Sequence, residues 1–243
     1  MNKTTVLLLH LLITSIAFSQ NSEKATLLLD QVSTKMEAYQ NMSIHFNETL
    51  SNEDAGIREE DELPIKGQIS LQGEKYNLNY LGNTFIYDGK KLFVINNDEK
   101  EVTITEGDMN GEDGFIYPSK LLTFYKEGYN LQMGDLKNIK GRKIQFVILT
   151  PMDSDSDIVN IAFAVDLKTL HLYKLIQTGS NGSITSFTIT EFKSNQTLSN
   201  DFFSFNKEIS LFTIPFILII FLGFFAFDMM VIDLEKPPTL LVS

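Results

Sequence analysis

Apolar and polar residues alternate with a period of two along most of the chain, most clearly in Gly82–Thr105, GNTFIYDGKKLFVINNDEKEVTIT. Three alternating runs, Thr84–Tyr87, Lys91–Asn96 and Glu101–Thr105, are separated by Asp88-Gly89 and Asn97-Asp98, residue types that tolerate the positive φ of tight turns. That predicts a β-meander. The same design predicts strands at Ser43–Leu50, Gly67–Gln72 and Lys75–Leu81, with Gly73-Glu74 and Gly82-Asn83 as turns. It continues at Tyr129–Leu136, Arg142–Thr150, Val159–Asp166, Leu170–Gly179 and Ser183–Lys193, where Asn181-Gly182 is a type I′ hairpin signal.

Helical spacing occurs twice. Ala25, Leu28, Leu29, Val32, Met36 and Tyr39 form one stripe within Ser22–Gln40, with Ser22 as N-cap. Pro118–Tyr125 predicts a short helix with Leu121, Leu122, Phe124 and Tyr125 on its face. The fold class expected is therefore mainly β with a few α: one large antiparallel sheet of about eleven strands and two helices.

At alternate positions Tyr76, Leu78, Tyr80, Phe85, Tyr87, Phe93, Ile95, Val102, Ile104, Phe146, Ile148 and Phe163, with Ile161 and Val165, are expected to share one face. Phe46, Ile69 and Leu71 extend it, and Leu121, Leu122 and Phe124 of the short helix cover it. If that face is closed it is a core; if it stays partly open it suits acyl chains, which need dry apolar surface and few polar contacts. Composition does not choose between the two.

The chain begins as an export signal does: Met1-Asn2-Lys3, an apolar run Val6–Ile16, and a small-residue zone Ala17-Phe18-Ser19, which sets residues 1–19 apart as a signal peptide. There is no cysteine, hence no disulfide, no thiolate metal site and no lipid-anchoring Cys. With 20 basic residues against 31 acidic and no Trp, the chain lacks the Lys/Arg clusters that nucleic acid requires.

Catalytic signals are equally scarce. His45 and His171 stand singly on strands as surface or edge residues, and no G-x-S-x-G, H-E-x-x-H or Gly-rich phosphate loop occurs. Glu106–Gly114 is rich in carboxylates, but its spacing and flanks are not those of a calcium loop, so it reads as solvated. Neither an enzyme nor a metal or cofactor protein is expected.

Several pieces together resemble the LolA family of outer-membrane lipoprotein carriers in its Bacteroidetes-type form. They are Leu28–Ser33 running into Tyr39–Ser43, Lys66-Gly67, Gly73–Tyr76, Asp88-Gly89-Lys90 with Leu92 and Phe93, Glu101-Val102 and Pro118–Leu122. Gly141–Lys143, Leu149–Pro151, Asp166–Thr169, Phe202–Phe205 and Val231–Leu234 follow in the same order. The resemblance implies an unclosed half-barrel over residues 20–208, helices as a lid, and a monomeric periplasmic carrier. Such a carrier takes lipoprotein acyl chains from an inner-membrane lipoprotein-releasing transporter to an outer-membrane acceptor. An arginine that holds the lid in some members has no counterpart, since Gly73 stands near that point.

Residues 209–227, ISLFTIPFILIIFLGFFAF, depart from that family pattern, being 19 residues without a charge. As a helix they would measure about 28 Å, enough to span a bilayer core. The stretch separates Phe202–Phe205 from the 228–243 tail, in which 231–234 resembles the family's last strand. Three readings stay open: a membrane anchor, a helix covering the half-barrel, or an irregularity in the sequence. An anchor would suit an alternative role, a membrane-attached envelope sensor or interaction module with the same fold.

Overall fold

A computed structural model describes residues 21–108 and 120–205. The proposed signal peptide, most of the acidic loop after Glu106, the apolar 209–227 stretch and the 231–234 match lie outside these residues.

Eleven strands form a single antiparallel sheet: β1 Met42–Ser51, β2 Ile65–Gln72, β3 Lys75–Tyr80, β4 Asn83–Tyr87, β5 Lys91–Asn96, β6 Glu101–Glu106, β7 Tyr129–Ile139, β8 Arg142–Pro151, β9 Ile158–Asp166, β10 His171–Gly179 and β11 Ile184–Ser194. Their order is β6-β5-β4-β3-β2-β1-β11-β10-β9-β8-β7. Every neighbour is consecutive in sequence except β1 and β11, which pair at the centre. Among the described residues β6 and β7 share no ladder, so the sheet is an open half-barrel.

Tight turns set the register. Leu81-Gly82 and Lys140-Gly141 each place two successive residues at positive φ, 50° and 75° in the first and 51° and 78° in the second. That is the backbone of the type I′ hairpin, whose twist matches that of the strands. The turn at Asn181-Gly182 differs from expectation: only Gly182 is at positive φ, and Gly182 N–H donates to Gly179 O while Gly179 N–H donates to Ser183 O, closing a longer loop.

One helix, α1 (residues 21–37), lies across the concave face. The stripe read from its sequence is the one it buries: Ala25, Leu28, Leu29, Val32 and Met36 are all less than a tenth exposed and join Ile44, Leu71, Tyr76, Val147 and Phe163 in one core. Asn21 Oδ1 accepts from Met133 N–H on β7 at 3.2 Å, and beyond the helix Tyr39 packs on Phe192 of β11, so the helix is tied to the sheet at both ends. The second predicted helix, Pro118–Tyr125, is described from residue 120 on, and there it is a turn at 121–123 leading into a 3-10 helix, Phe124–Lys126, whose buried Tyr125 donates to Asp30 of α1 at 2.7 Å. Among the described residues no helix is long and apolar enough to cross a membrane.

Candidate functional site

Antiparallel partners share a face, so the pairing register decides which side chains line the trough. From β1 outward, Ile44 pairs with Ile69, Ile69 with Leu78, Leu71 with Tyr76, Leu78 with Phe85, Phe85 with Val94, and Tyr76 with Tyr87. In the other direction Phe46 pairs with Ile189, Phe187 with Leu175, Leu175 with Phe163, and Phe163 with Val147. The concave face therefore holds Phe46, Ile69, Leu71, Tyr76, Leu78, Tyr80, Phe85, Tyr87 and Phe163, all read from the sequence as lining.

Six residues expected on that face point the other way. Phe93 and Ile95 pair with Ile86 and Thr84, and Val102 and Ile104 pair with Ile95 and Phe93, all on the convex side. Phe146 and Ile148 pair with Ala164 and Ala162, which are also convex. The lining of β5 is instead Leu92 and Val94, and that of β8 is Val147 and Leu149. The cause is compositional: LFVI in β5 and IQFVIL in β8 are apolar at both parities, so alternation alone does not orient them. Both convex flanks are apolar enough to need cover. Over β5 the cover is the segment after β11, which brings Phe205 onto Phe93 with ring centroids 5.3 Å apart, buries Phe203 and places Phe202 O to accept from Asn77 Nδ2 at 3.1 Å.

Burial along the trough is uneven. Met42 and Ile44 at the start of β1 are buried beneath the α1 core, whereas Phe46, Tyr80, Phe187 and Ile189 further along are half-buried. Phe46 stands at the centre of that more open part, 5.9 Å from Tyr80 and 5.8 Å from Phe187 by ring centroids. Tyr87 and Val94 are also half-buried, and Leu122 and Phe124 pack against the core from above. Leu121 is half-buried beside them. Exposed Leu63, Ile65 and Leu81 lie at the β1–β2 and β3–β4 ends.

One polar group lies inside this surface. Glu48 follows Met42, Ile44 and Phe46 on the inward parity of β1, is 8% exposed, and accepts a hydrogen bond from the Tyr80 hydroxyl. Burial holds its carboxyl above the ordinary range, against the lowering effect of Tyr80. Burial, then Glu48, also raises Tyr80, which keeps its proton and acts as donor. The sequence carried a signal for this group, a carboxylate at an apolar parity position.

The two histidines differ from each other. His45 is partly exposed on the convex face, its side chain 39% accessible, 3.5 Å from Glu191. His171 was expected at the surface but is half-buried, with Nε2 2.9 Å from the Tyr39 hydroxyl and its ring 4.0 Å from that of Phe192. Asp166 is buried on the convex side and bound by Arg142 Nε and Nη2, both at 2.6 Å. Among the described residues no His, Asp and Glu group is arranged to hold a metal ion.

The sequence matches the family described as outer membrane lipoprotein carrier protein LolA over residues 79–206, just over half of the chain. No curated protein matches it. The crystal structure of an uncharacterized conserved protein from Thermus thermophilus is similar with a TM-score of 0.53 and 8% identity, over 78% of this chain and 99% of that one. A putative outer membrane lipoprotein-sorting protein domain from Vibrio parahaemolyticus gives 0.43 and 12%, over 76% and 97%. LprF from Mycobacterium bovis gives 0.44 and 12%, over 74% and 98%. At these identities the first likeness speaks for the fold.

Proposed function

The chain belongs to the LolA family of outer membrane lipoprotein carrier proteins, and on that footing we propose that it is a periplasmic carrier for lipoprotein acyl chains. The observation that carries this reading is the trough itself. Among the described residues an eleven-stranded sheet with no ladder between β6 and β7 presents Phe46, Tyr80, Tyr87, Val94, Phe187 and Ile189, apolar or aromatic and only half-buried, next to a buried core.

The work done would be binding without bond chemistry. Each methylene moved from water onto such a surface contributes about 0.8 kcal/mol, so a fourteen-carbon chain is held by many small, non-directional terms. Release then needs only a more apolar acceptor, with the transfer between inner-membrane donor and outer-membrane acceptor running down a gradient of burial. Leu122 and Phe124, which reach the core from a short 3-10 segment, and α1, tied through Tyr125 to Asp30, are the elements placed to move when a chain enters.

Mass spectrometry of the protein isolated from its host should find bound acylated lipoprotein. Absence of acyl species, together with failure to keep a lipoprotein from aggregating, would overturn the reading. A second role, a membrane-attached envelope sensor with the same fold, is favoured by the uncharged stretch at 209–227. Retention in the membrane fraction after carbonate washing would support it, and recovery in the soluble fraction would remove it.

A further inference from the structure

Glu48 is out of place in a surface built for hydrocarbon. It is 8% exposed, faces the trough, and has Ile65 of β2 and Phe187 of β11 as its lateral partners. Among the described residues it makes no ion pair. The lysines beside it stand at the opposite parity: Lys66 pairs with Asn47, and Lys174 pairs with Thr188 and reaches Glu59 at 3.7 Å. Asp166, the other buried carboxylate among the described residues, is treated differently, with a guanidinium and the Lys168 N–H turned on it. Among the described residues Glu48 has only the hydroxyl of Tyr80, which satisfies one carboxylate oxygen. A buried carboxylate with one neutral donor retains unused acceptor capacity and an uncompensated charge, which is costly unless something else completes it.

We propose that Glu48, one oxygen of which is held by the Tyr80 hydroxyl, is a polar receptor inside the trough for acyl lipids that carry an N–H donor, above all an amine, next to the hydrocarbon chain. The inference rests on the lipid-binding reading above and adds a head-group preference to it. The neighbouring Phe46 and Phe187 rings would take the first methylenes while the nitrogen donates to the free oxygen of Glu48. An ammonium makes the stronger, charge-assisted bond and neutralises the site, and an amide N–H makes the weaker neutral version. A carboxylate head is repelled and brings no donor.

Calorimetry on the full chain at neutral pH, with decylamine and decanoate below their micelle concentrations, separates head group from chain because the hydrocarbon is the same. Decylamine should bind at least about tenfold tighter. Glu48→Gln should bring the two affinities within about threefold of each other, while Glu99→Gln, an exposed site with the same charge change, should leave the ratio unaltered. That control separates the receptor from the general attraction of a chain whose formal net charge is −11. Equal binding of both probes to the native chain, or a preference that survives Glu48→Gln, overturns the receptor and leaves the lipid reading standing. Binding of neither probe removes both. Should Glu48→Gln not fold, Tyr80→Phe decides: the carboxylate is left with both oxygens for the nitrogen, so the amine preference is kept or raised, and a fall in it overturns the proposal.

Discussion

The tip of the Phe46 ring lies against Gly67 of the adjacent strand, so close that a Cβ at Gly67 would stand 2.1 Å from the ring's Cζ. The contact sets the floor of the trough at its more open part. Gly67→Ala should push Phe46 out of this position and destabilise the fold by about 1–3 kcal/mol, the usual range for overpacking. Thermal melts would measure the loss, and a quantum-yield change of a bound fluorescent fatty acyl probe would report the moved ring.

The two faces of β5 and β6 can be told apart by charge. Val94→Glu places a carboxylate among the trough residues and should weaken binding of an acyl probe by more than about tenfold. Ile104→Glu, on the convex side where Ile104 is 44% exposed, should leave binding within about twofold. Equal effects would mean that the register of this half of the sheet is wrong.

Phe203 is 7% exposed against the convex flank, in the same segment as Phe202 and Phe205. Phe203→Ala should cost roughly 3 kcal/mol in urea unfolding. Acyl binding at saturating folded protein should not change, because the side chain lies on the far side of the sheet from the trough.

Burial acts to raise the Asp166 carboxyl, but the Lys168 N–H and Arg142 outweigh it, and the net shift is downward. A carboxyl lowered in the folded state stabilises the fold above its unfolded pKa, about 3.9, and loses that contribution as pH falls through the lower folded value. Arg142→Leu should therefore cost about 2 kcal/mol at neutral pH. The gap between variant and native melts should close as the solution is taken below pH 4, and a gap independent of pH would exclude the ionic origin.

His171 is shifted downward, by burial first and then by Lys35 and Arg142, against the raising effect of Asp166. A histidine lowered in this way is held neutral by the fold, so stability is complete above about 6.5, the unfolded value, and declines as pH falls from there toward the folded value. An NMR titration should place the His171 midpoint below 6.5. His171→Gln should flatten the stability profile between pH 7 and 5, and a midpoint above 6.5 would reverse the sign.

The strand list was legible because the turns are strong: each of the eleven runs lies within three residues of its predicted ends, and the α1 stripe is the one that is buried. Facing was legible only where one parity is polar. In β3, KYNLNY, the asparagines mark the outer side and the tyrosines the inner. In β5 no such mark exists, and the Phe93–Phe205 stack that orients it depends on a residue more than a hundred positions away. Glu48 was visible as a letter but not as a burial, since a carboxylate on an inward parity looks the same as a strand end turning to solvent. The 3-10 segment was read as a longer helix because Leu121, Leu122, Phe124 and Tyr125 fit one face, while a single turn suffices to deliver Leu122 and Phe124 to the core.

Among the described residues the sheet has two free margins, β6 and β7, and ten consecutive ladders between them. A closed cylinder of this strand count would have a fixed girth, because widening it would break a row of hydrogen bonds. An open sheet meets no such constraint, because strand twist varies over a range of degrees and a small change in each ladder alters the radius without breaking a row of bonds. On the carrier reading proposed above, an unclosed sheet of this kind would accommodate guests of one or several hydrocarbon tails by a change of curvature rather than by breaking a ladder.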